Sequence, residues 1–253
     1  QMKKWSLWIV AVGLCWIIEH EVVMSVSGSY PKSAQVLAGE YDRSGRNPHQ
    51  SRSVVVAQNG MVATSHPLSA QVGIDILKAG GNAADAAIAT SAMMGLVEPM
   101  SCGIGGDLFL IYWDNATQKL YGLNASGRSP YALNRKVFAD QGLPQIPETG
   151  PLSWSVPGCV DGWDMLRSRF GTKSFAEILK PAIEYGEAGF PIPEVIAGYW
   201  AGGAVGLKDW PDSAATYLID GRAPREGELF KSQRLAATYR QIGEHGRDAF
   251  YKG

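Results

Sequence analysis

The chain has 253 residues, of which 45% are hydrophobic and 19% charged, and its formal net charge is −1. These are the values of an ordinary globular protein, and the chain is long enough to bury a sizeable core. The charge is nearly balanced and no long run has one sign, which excludes the basic surface typical of nucleic-acid-binding proteins. We therefore expect no nucleic-acid partner.

The N-terminal segment has the pattern of a secretory signal. Two lysines, Lys3 and Lys4, precede an uncharged apolar run of fourteen residues, 5–18. This run is short for a membrane span, which needs about 20 residues, and it fits the apolar region of a signal. We predict a signal peptide over residues 1–27, with an uncleaved membrane anchor as the alternative, followed by a polar linker over 28–52. Either way the protein is expected to be exported, to the periplasm or the outside of the cell.

Two short apolar runs, residues 54–57 and 61–64, flank the dipeptide Asn59-Gly60. Asn-Gly between such runs is typical of a tight β-turn, because both residues readily adopt positive φ. We therefore predict a β-hairpin at the start of the main domain, which is expected to cover residues 53–253.

A pair of helices is predicted next. Pro67 suits the first position of a helix, and the Gly-Gly pair at 80–81 can end that helix through positive φ. Asn82 is then a cap for a second helix over residues 83–97, with Asp85 close to the positive end of its dipole. The second helix is nearly free of charge, which predicts burial on most sides.

A second hairpin is predicted in the middle of the chain. Residues 107–114 are apolar almost throughout, which favours a strand covered on both faces, and residues 119–124 return as its partner. The run CGIGGD at 102–107 precedes the first strand. It lacks the spacing of a phosphate-binding loop and leads into a strand instead of a helix, so we interpret it as a tight turn, with phosphate binding as the alternative.

Helical patterns dominate the remainder of the chain. Residues 141–158 are rich in Pro and Gly, which predicts an irregular excursion, and helices are predicted over 160–170, 174–189 and 231–245. A helix pair and a hairpin followed by further helices indicate the α+β class, with helices packed on a mostly antiparallel sheet.

Few side chains have the pattern of a catalytic group. Thr64 and Ser65 place hydroxyls beside the imidazole of His66, but neighbours in sequence rarely face each other usefully. Helix capping by Ser65 or His66 is the preferred interpretation, and no G-x-S-x-G motif occurs. The acidic residues Glu226 and Glu228 lie in a polar loop and are interpreted as solvated surface, not as an acid–base pair.

No residues have the spacing of a metal site, and we expect neither a metal nor a cofactor. The four histidines are scattered, at His20, His49, His66 and His245. No C-x-x-C pair is present. Cys102 and Cys159 could pair in an oxidising compartment, although nothing in the sequence requires it. Cys159 follows Pro-Gly without a nearby histidine and is interpreted as structural or disulfide-bonded.

The strongest candidate for ligand binding is Arg128, within NASGRSP at residues 124–130. It stands between small residues just past the end of a predicted strand. A guanidinium in such a place can bind a carboxylate through two parallel N–H bonds. An ordinary surface arginine or an ion-pair partner is the alternative that these residues alone leave open.

Several motifs occur in an order that resembles the γ-glutamyltransferase (γ-glutamyltranspeptidase) family. They are MVATSHPLSAQVGIDILKAGGNAADAAIATSAMMGLVEP, GIGGDLFLIYWD, SGRSP, SVPGCVDGW and AFYKG. The helix pair around ILKAGGNAADAA is the most specific part, and the resemblance covers about residues 52–253. The pattern SGR-x-P resembles the broader, acylase-like branch of this family.

The resemblance implies an N-terminal-nucleophile hydrolase with an αββα sandwich, here incomplete and limited to its front half. Members are made as a precursor that cuts itself into a large and a small subunit. The threonine exposed at the start of the small subunit attacks a γ-glutamyl amide, and the acyl-enzyme passes its acyl group to water or an amino acid. These residues then belong to the N-terminal part of the large subunit, with the small subunit of the same precursor as partner. The nucleophile lies downstream, so no catalytic residue is assigned here and the 253 residues alone are expected to be inactive.

Glutathione-cleaving members carry an arginine, followed by a glutamate, that binds the α-carboxylate of the substrate. Aligned on Pro130, these positions fall on Ser126 and Gly127 here, and Arg128 lies two places further on. We predict Arg128 and Ser126 as substrate-binding residues, with a purely structural role for Arg128 as the alternative. The implied substrate is a small-molecule γ-glutamyl or related amide. The other candidates are an acylase-like enzyme with a different acyl group and a truncated binding module without activity.

Overall fold

The computed structural model describes residues 55–253. Within this range the helices are α1 (Pro67–Lys78), α2 (Ala83–Val97), α3 (Arg135–Asp140), α4 (Cys159–Phe170), α5 (Phe175–Ala188), α6 (Glu194–Leu207), α7 (Pro211–Tyr217), α8 (Gln233–His245) and α9 (Arg247–Tyr251). The strands are β1 (Leu108–Asp114), β2 (Lys119–Ala125), β3 (Phe190–Pro191) and β4 (Leu229–Phe230). The predicted signal peptide or anchor and the predicted linker lie outside the described residues and stay predictions.

The prediction of a β-hairpin at the start of the domain is wrong for residues 55–64, the part of it that the structure describes. Residues 55–64 contain no strand. The side chains of Val55 and Val56 are 72% and 88% exposed, so pairing here would bury little apolar surface. A two-stranded ribbon without a packed face is at best marginally stable in water, and the Asn-Gly signal alone does not compensate for this.

The helix pair α1–α2 forms as predicted. His66 is the N-cap of α1, where its Nδ1 accepts the Leu68 N–H at 3.2 Å, and Pro67 occupies the first turn. Asn82 and Asp85 form a capping box at the start of α2, each side chain accepting a backbone N–H of the other residue. Helix α2 is buried on most sides, as its lack of charge predicts.

The central hairpin pairs β1 and β2 in antiparallel register, from Leu108 opposite Ala125 at its open end to Asp114 opposite Lys119 at its turn. The prediction that β1 is covered on both faces is wrong. Its side chains Phe109, Ile111 and Trp113 are 48%, 66% and 38% exposed. In the described part of the chain these two strands form a sheet of their own, so its second face has no layer to pack against.

The predicted helices α4, α5 and α8 are confirmed within a few residues at each end. Helix α4 packs on the hairpin, where Phe170 stacks on Tyr112 with ring centroids 4.2 Å apart. Helices α2, α5 and α8 form the core, and Tyr239 of α8 donates a hydrogen bond to the carbonyl of Ala92 in α2 at 2.9 Å. The mixture of helices with two antiparallel strand pairs confirms the α+β class.

Among the helices of residues 55–253, none combines the length and the apolar character that crossing a bilayer requires.

Candidate substrate-binding site

The open end of the β1–β2 hairpin is crossed by residues 155–158, which we call the strap. The N–H of Val156 donates to the carbonyl of Arg128 at 2.9 Å, and the N–H of Gly158 donates to the carbonyl of Gly106 at 3.0 Å. The strap is therefore bonded to the chain that enters β1 and to the chain that leaves β2. Three motifs that are distant in sequence, GIGGD, SGRSP and SVPG, meet at this point.

Two glycines allow the strap to approach the hairpin. Gly127 has a φ of +71°, and a Cβ at this position would lie 1.8 Å from the carbonyl oxygen of Val156. A Cβ at Gly158 would lie 2.1 Å from the carbonyl oxygen of Ala125. Any side chain at either position must displace backbone atoms, since real Cβ atoms do not come so close. The glutamate that glutathione-cleaving members carry at the position of Gly127 does not fit this conformation.

The last helix supports the strap from its other side. The hydroxyl of Tyr251 donates to the carbonyl of Pro157 at 2.8 Å and accepts the N–H of Asp161 at 3.0 Å. Burial raises the pKa of Tyr251, which keeps this hydroxyl protonated and able to donate. Arg247 of the same helix is paired with the carboxylate of Asp161. The AFYKG motif thus has a role in positioning the hairpin end.

The predicted substrate-binding residues lie at this hairpin end. The side chain of Arg128 is exposed, and its Nη1 donates to the hydroxyl of Tyr131 at 3.0 Å. The ion pairs within residues 55–253 do not include Arg128. Ser126 is half-buried, and its N–H is bound by the side chain of Asn124 at 3.0 Å. The structure therefore brings an unneutralised guanidinium and a hydroxyl to one place.

Asp107, which no sequence motif singles out, is exposed at the entrance to β1. Its Oδ1 accepts a hydrogen bond from the hydroxyl of Ser155 in the strap at 3.2 Å. The sequence pattern that could have indicated Asp107 is a carboxylate between a glycine-rich turn and an apolar strand. That signal is weak by itself, because its partner lies 48 residues away along the chain.

The glycine-rich run before Asp107 acts as a backbone turn. The N–H of Gly106 donates to the carbonyl of Gly103 at 3.2 Å, and the carbonyl of Gly106 accepts the N–H groups of Gly158 and Cys159. A strand follows the turn, and the helix N-terminus that contacts it, that of α4, is already bonded to the carbonyl of Gly106. These contacts agree with the interpretation as a tight turn.

The hydroxyls of Thr64 and Ser65 do not form a nucleophile–base pair with His66. Both approach the sulfur of Met94 instead, with Thr64 Oγ1 at 3.2 Å, while the imidazole caps α1 as preferred above. Burial lowers the pKa of His66, which keeps its Nδ1 free to accept. This trio therefore has a structural role at the start of the helix pair.

The two cysteines within the described residues are free thiols. Burial raises the pKa of Cys159 to about 12, and burial, followed by the charge of Glu98, also raises the pKa of Cys102. A thiol that stays protonated at neutral pH is a poor nucleophile. Neither cysteine is activated for catalysis.

Glu228 is a partly exposed surface residue whose carboxylate accepts two hydrogen bonds from the guanidinium of Arg222, at 2.8 and 2.6 Å, and it does not pair with Glu226. These bonds, together with one from the N–H of Arg225, lower the pKa of Glu228 to about 2. Glu226 is exposed at the tip of the same loop. The pair Arg222–Glu228 closes the loop, and the described residues offer no cluster of three or more potential metal ligands here or elsewhere.

Similarity to known proteins identifies the family to which this chain belongs. Residues 69–253 match the profile of the family described as Gamma-glutamyltranspeptidase. The chain belongs to the γ-glutamyltranspeptidase family. The family predicted from the motifs is thereby confirmed.

Relatives within the γ-glutamyltranspeptidase family include the glutathione hydrolase proenzyme of Bacillus subtilis (strain 168), which is 32% identical over 241 residues. This match covers 91% of the chain but only 39% of the length of that relative. Two solved structures are similar in fold. The γ-glutamyltranspeptidase of Helicobacter pylori gives a TM-score of 0.75 at 29% identity, covering 79% of this chain and 58% of that one. The cephalosporin acylase of Bacillus halodurans gives a TM-score of 0.77 at 43% identity, and the match covers 83% of this chain and 40% of that one. The acylase is consistent with the branch of the γ-glutamyltranspeptidase family that SGR-x-P predicted.

Proposed function

We propose that these residues form one wall of the acyl pocket of an amidohydrolase that cleaves γ-glutamyl or related amides. The observation that carries the proposal is the exposed guanidinium of Arg128, a residue whose carbonyl is bonded to the strap and which has no ion-pair partner among residues 55–253. Such a group can bind a carboxylate through two parallel, charge-assisted hydrogen bonds. Membership of the γ-glutamyltranspeptidase family supports the reaction class.

In this proposal Arg128 binds the carboxylate of the acyl group, and Ser126 offers a hydroxyl beside it. The nucleophile is a threonine of the small subunit, in the part of the precursor that follows these residues. The free α-amine of that threonine takes the proton from its hydroxyl, and the alkoxide attacks the amide carbonyl. N–H donors stabilise the resulting oxyanion, the amine leaves, and the acyl group is then passed to water or to an amino acid.

The proposal also assigns a role to the helix pair and the hairpin. The helix pair α1–α2 and the hairpin β1–β2 are the front half of an αββα sandwich. The exposed face of β1, with Phe109, Ile111 and Trp113, is then covered by strands from the remainder of the precursor. The B. subtilis proenzyme, of which this chain spans 39%, is long enough to contain such strands.

A second candidate function is the hydrolysis of an amide whose acyl group has a carboxylate but no α-amino group. Two observations favour it. Gly127 stands where a glutamate accompanies the substrate-binding arginine, and its contact with Val156 excludes any side chain. The 43% identity with a cephalosporin acylase points in the same direction.

The role of Arg128 can be tested with Arg128→Ala in the full-length precursor. We expect the KM for a γ-glutamyl anilide to rise by about tenfold or more, because a charge-assisted pair of hydrogen bonds is lost. Arg128→Lys should recover part of the affinity, since the charge remains without the two-pronged geometry.

The matched control is Arg135→Ala, which removes an exposed arginine at the start of α3 and should leave the KM unchanged. An Arg128→Ala enzyme with the KM of the unaltered protein would show that the guanidinium does not bind the acyl group.

A further inference from the structure

The sequence contains two triplets of the form Asn-x-Ser/Thr, NAT at 115–117 and NAS at 124–126. In exported proteins such a triplet is the acceptor of an N-linked glycan, which is bound to the side-chain amide of the asparagine, provided that the middle residue is not proline. Both triplets meet this condition. The first precedes strand β2 and the second overlaps its end, so the structure can distinguish between them.

The first triplet lies in the turn at the closed end of the β1–β2 hairpin. Asp114 and Lys119 are the last paired residues, and residues 115–118 form an exposed turn between them. A bulky hydrophilic group attached here displaces no packed side chain. Strand β1 has seven residues, so the turn lies about 20 Å from the strap, and a glycan there leaves the other end of the hairpin open.

The side chain of Asn115 can take a glycan and keep its contact within the turn. Its Oδ1 accepts a hydrogen bond from Nε2 of Gln118 at 2.8 Å. Its Nδ2, the atom to which the sugar is bound, donates no hydrogen bond among residues 55–253. Attachment replaces one hydrogen of Nδ2 and leaves Oδ1 in place.

The third residue of this triplet, Thr117, is bonded within the turn. Its hydroxyl donates to Oδ2 of Asp114 at 2.6 Å, so a transferase that recognises this hydroxyl must first break that bond. The bond is exposed, and water can replace it. A turn of this kind opens locally without disturbing the core, so the triplet is accessible in the folded protein.

The second triplet is held within the fold. Asn124 and Ala125 are both paired with residues of β1, and Ala125 is buried. The strap packs against the same residue, because a Cβ at Gly158 would lie 2.1 Å from the carbonyl oxygen of Ala125. A transferase could extend this triplet only by separating the end of β2 from both β1 and the strap.

We propose that Asn115 is the site of an N-linked glycan and that Asn124 is not. The donor is an oligosaccharide bound through a diphosphate to a lipid, in the compartment to which the chain is exported. A bond forms between Nδ2 of Asn115 and the anomeric carbon of the first sugar, and the bond from that carbon to the diphosphate breaks. The proton that leaves Nδ2 passes to a base of the transferase. The inference rests on the predicted export and not on the reaction that the enzyme catalyses.

The test expresses the full-length precursor in a eukaryotic secretory host and compares its electrophoretic mobility before and after digestion with a peptide-N-glycosidase. We expect one glycan. The digestion converts a glycosylated asparagine to aspartate, so mass spectrometry of the digested protein should locate the change at position 115. Asn115→Gln and Thr117→Ala should both abolish the shift in mobility, whereas Thr117→Ser preserves the triplet and should keep it. Asn124→Gln is the matched control and should also keep the shift.

The outcomes decide between the two triplets. A conversion to aspartate at position 115 alone supports the inference, and this readout on the unaltered protein does not depend on how well any variant folds. A secreted precursor whose mobility is unchanged by digestion would overturn it. A glycan that Asn124→Gln removes, or a second glycan beside the first, would overturn it as well.

Discussion

At Gly127 the backbone turns with a φ of +71° directly against the carbonyl of Val156. Two separate costs would follow from any side chain here. A non-glycine residue in this region of φ is strained by itself, and its Cβ would also have to move the strap. The backbone position of Arg128 depends on this glycine, because Arg128 is the next residue and its carbonyl accepts the N–H of the strap residue Val156.

We expect Gly127→Ala to lower the free energy of unfolding by about 2 kcal/mol or more, since both costs apply. Gly142→Ala is a matched control, because Gly142 has a φ of +66° but no atom lies within 4 Å of an added Cβ. This variant should have the backbone strain alone, which lowers the free energy of unfolding by about 1 kcal/mol. Denaturant unfolding of both variants measures the difference. Equal destabilisation would mean that the strap moves aside at no cost.

The sequence revealed only part of this site. Arg128 could be found because its neighbours are small and the strand before it ends in a recognisable way. The Ser155–Asp107 contact could not be found, because it joins positions 48 residues apart within irregular segments. The need for glycine at position 127 depends equally on where the strap lies.

At the scale of secondary-structure elements, Asp85 has two roles, one within its own helix and one in binding a segment that is distant in sequence. The capping box with Asn82 was predictable from their spacing. The same carboxylate also accepts hydrogen bonds from the backbone N–H groups of Thr172 and Lys173 and from the Thr172 hydroxyl, which lies at 2.6 Å. Asp85 is fully buried, so it ties the start of α2 to the connection between α4 and α5.

Replacing the Asp85 carboxylate should therefore destabilise the protein far more than the loss of a helix cap alone would. We expect Asp85→Ala to cost about 3 kcal/mol or more, because several buried N–H groups lose their acceptor together. Asp75→Ala, at an exposed position of α1, should cost no more than about 0.5 kcal/mol. A shift in unfolding midpoint of similar size for the two variants would contradict the tying role of Asp85.

The elements that were predicted correctly have strong local signals, such as the caps of α1 and α2 and the apolar strand β1. Helix α6 was missed because its sequence, EVIAGYWAGGAVGL, contains four glycines and only one charged residue, which hides a helical pattern. The hairpin around Asn59-Gly60 was predicted from a turn signal, but strands also need a packed face, and the structure gives them none.

For the molecule as a whole, titratable groups that are buried or hydrogen-bonded make stability depend on pH in opposing directions. Burial lowers the pKa of His66, so its contribution is present above the unfolded value of 6.5 and is lost as the pH falls through the lowered value. Burial raises the pKa of Glu98, so its contribution is present at low pH and is lost as the pH rises. Glu228, with its pKa lowered to about 2, contributes above the unfolded value of 4.5 and loses this below it.

His66→Asn isolates the histidine, because asparagine can still accept the capping hydrogen bond but does not titrate. We expect the variant to lose less stability between pH 7 and pH 5 than the unaltered protein. Denaturant midpoints at the two pH values measure this, with His245→Asn, at the exposed end of α8, as the control. The same pH dependence in both variants would mean that His66 is free to protonate in the folded state.

Main-chain hydrogen bonds join the strap to both strands of the hairpin, so the backbone at this end does not depend on the side chains that it presents. Substitutions at positions 107, 126 or 128 change the groups that a ligand meets, while the peptide bonds that present them stay where they are. Changes at these three positions therefore alter the side chains at the hairpin end while the backbone that carries them keeps its hydrogen bonds. By the same reasoning, positions 127 and 158 cannot take a side chain while the backbone keeps this conformation.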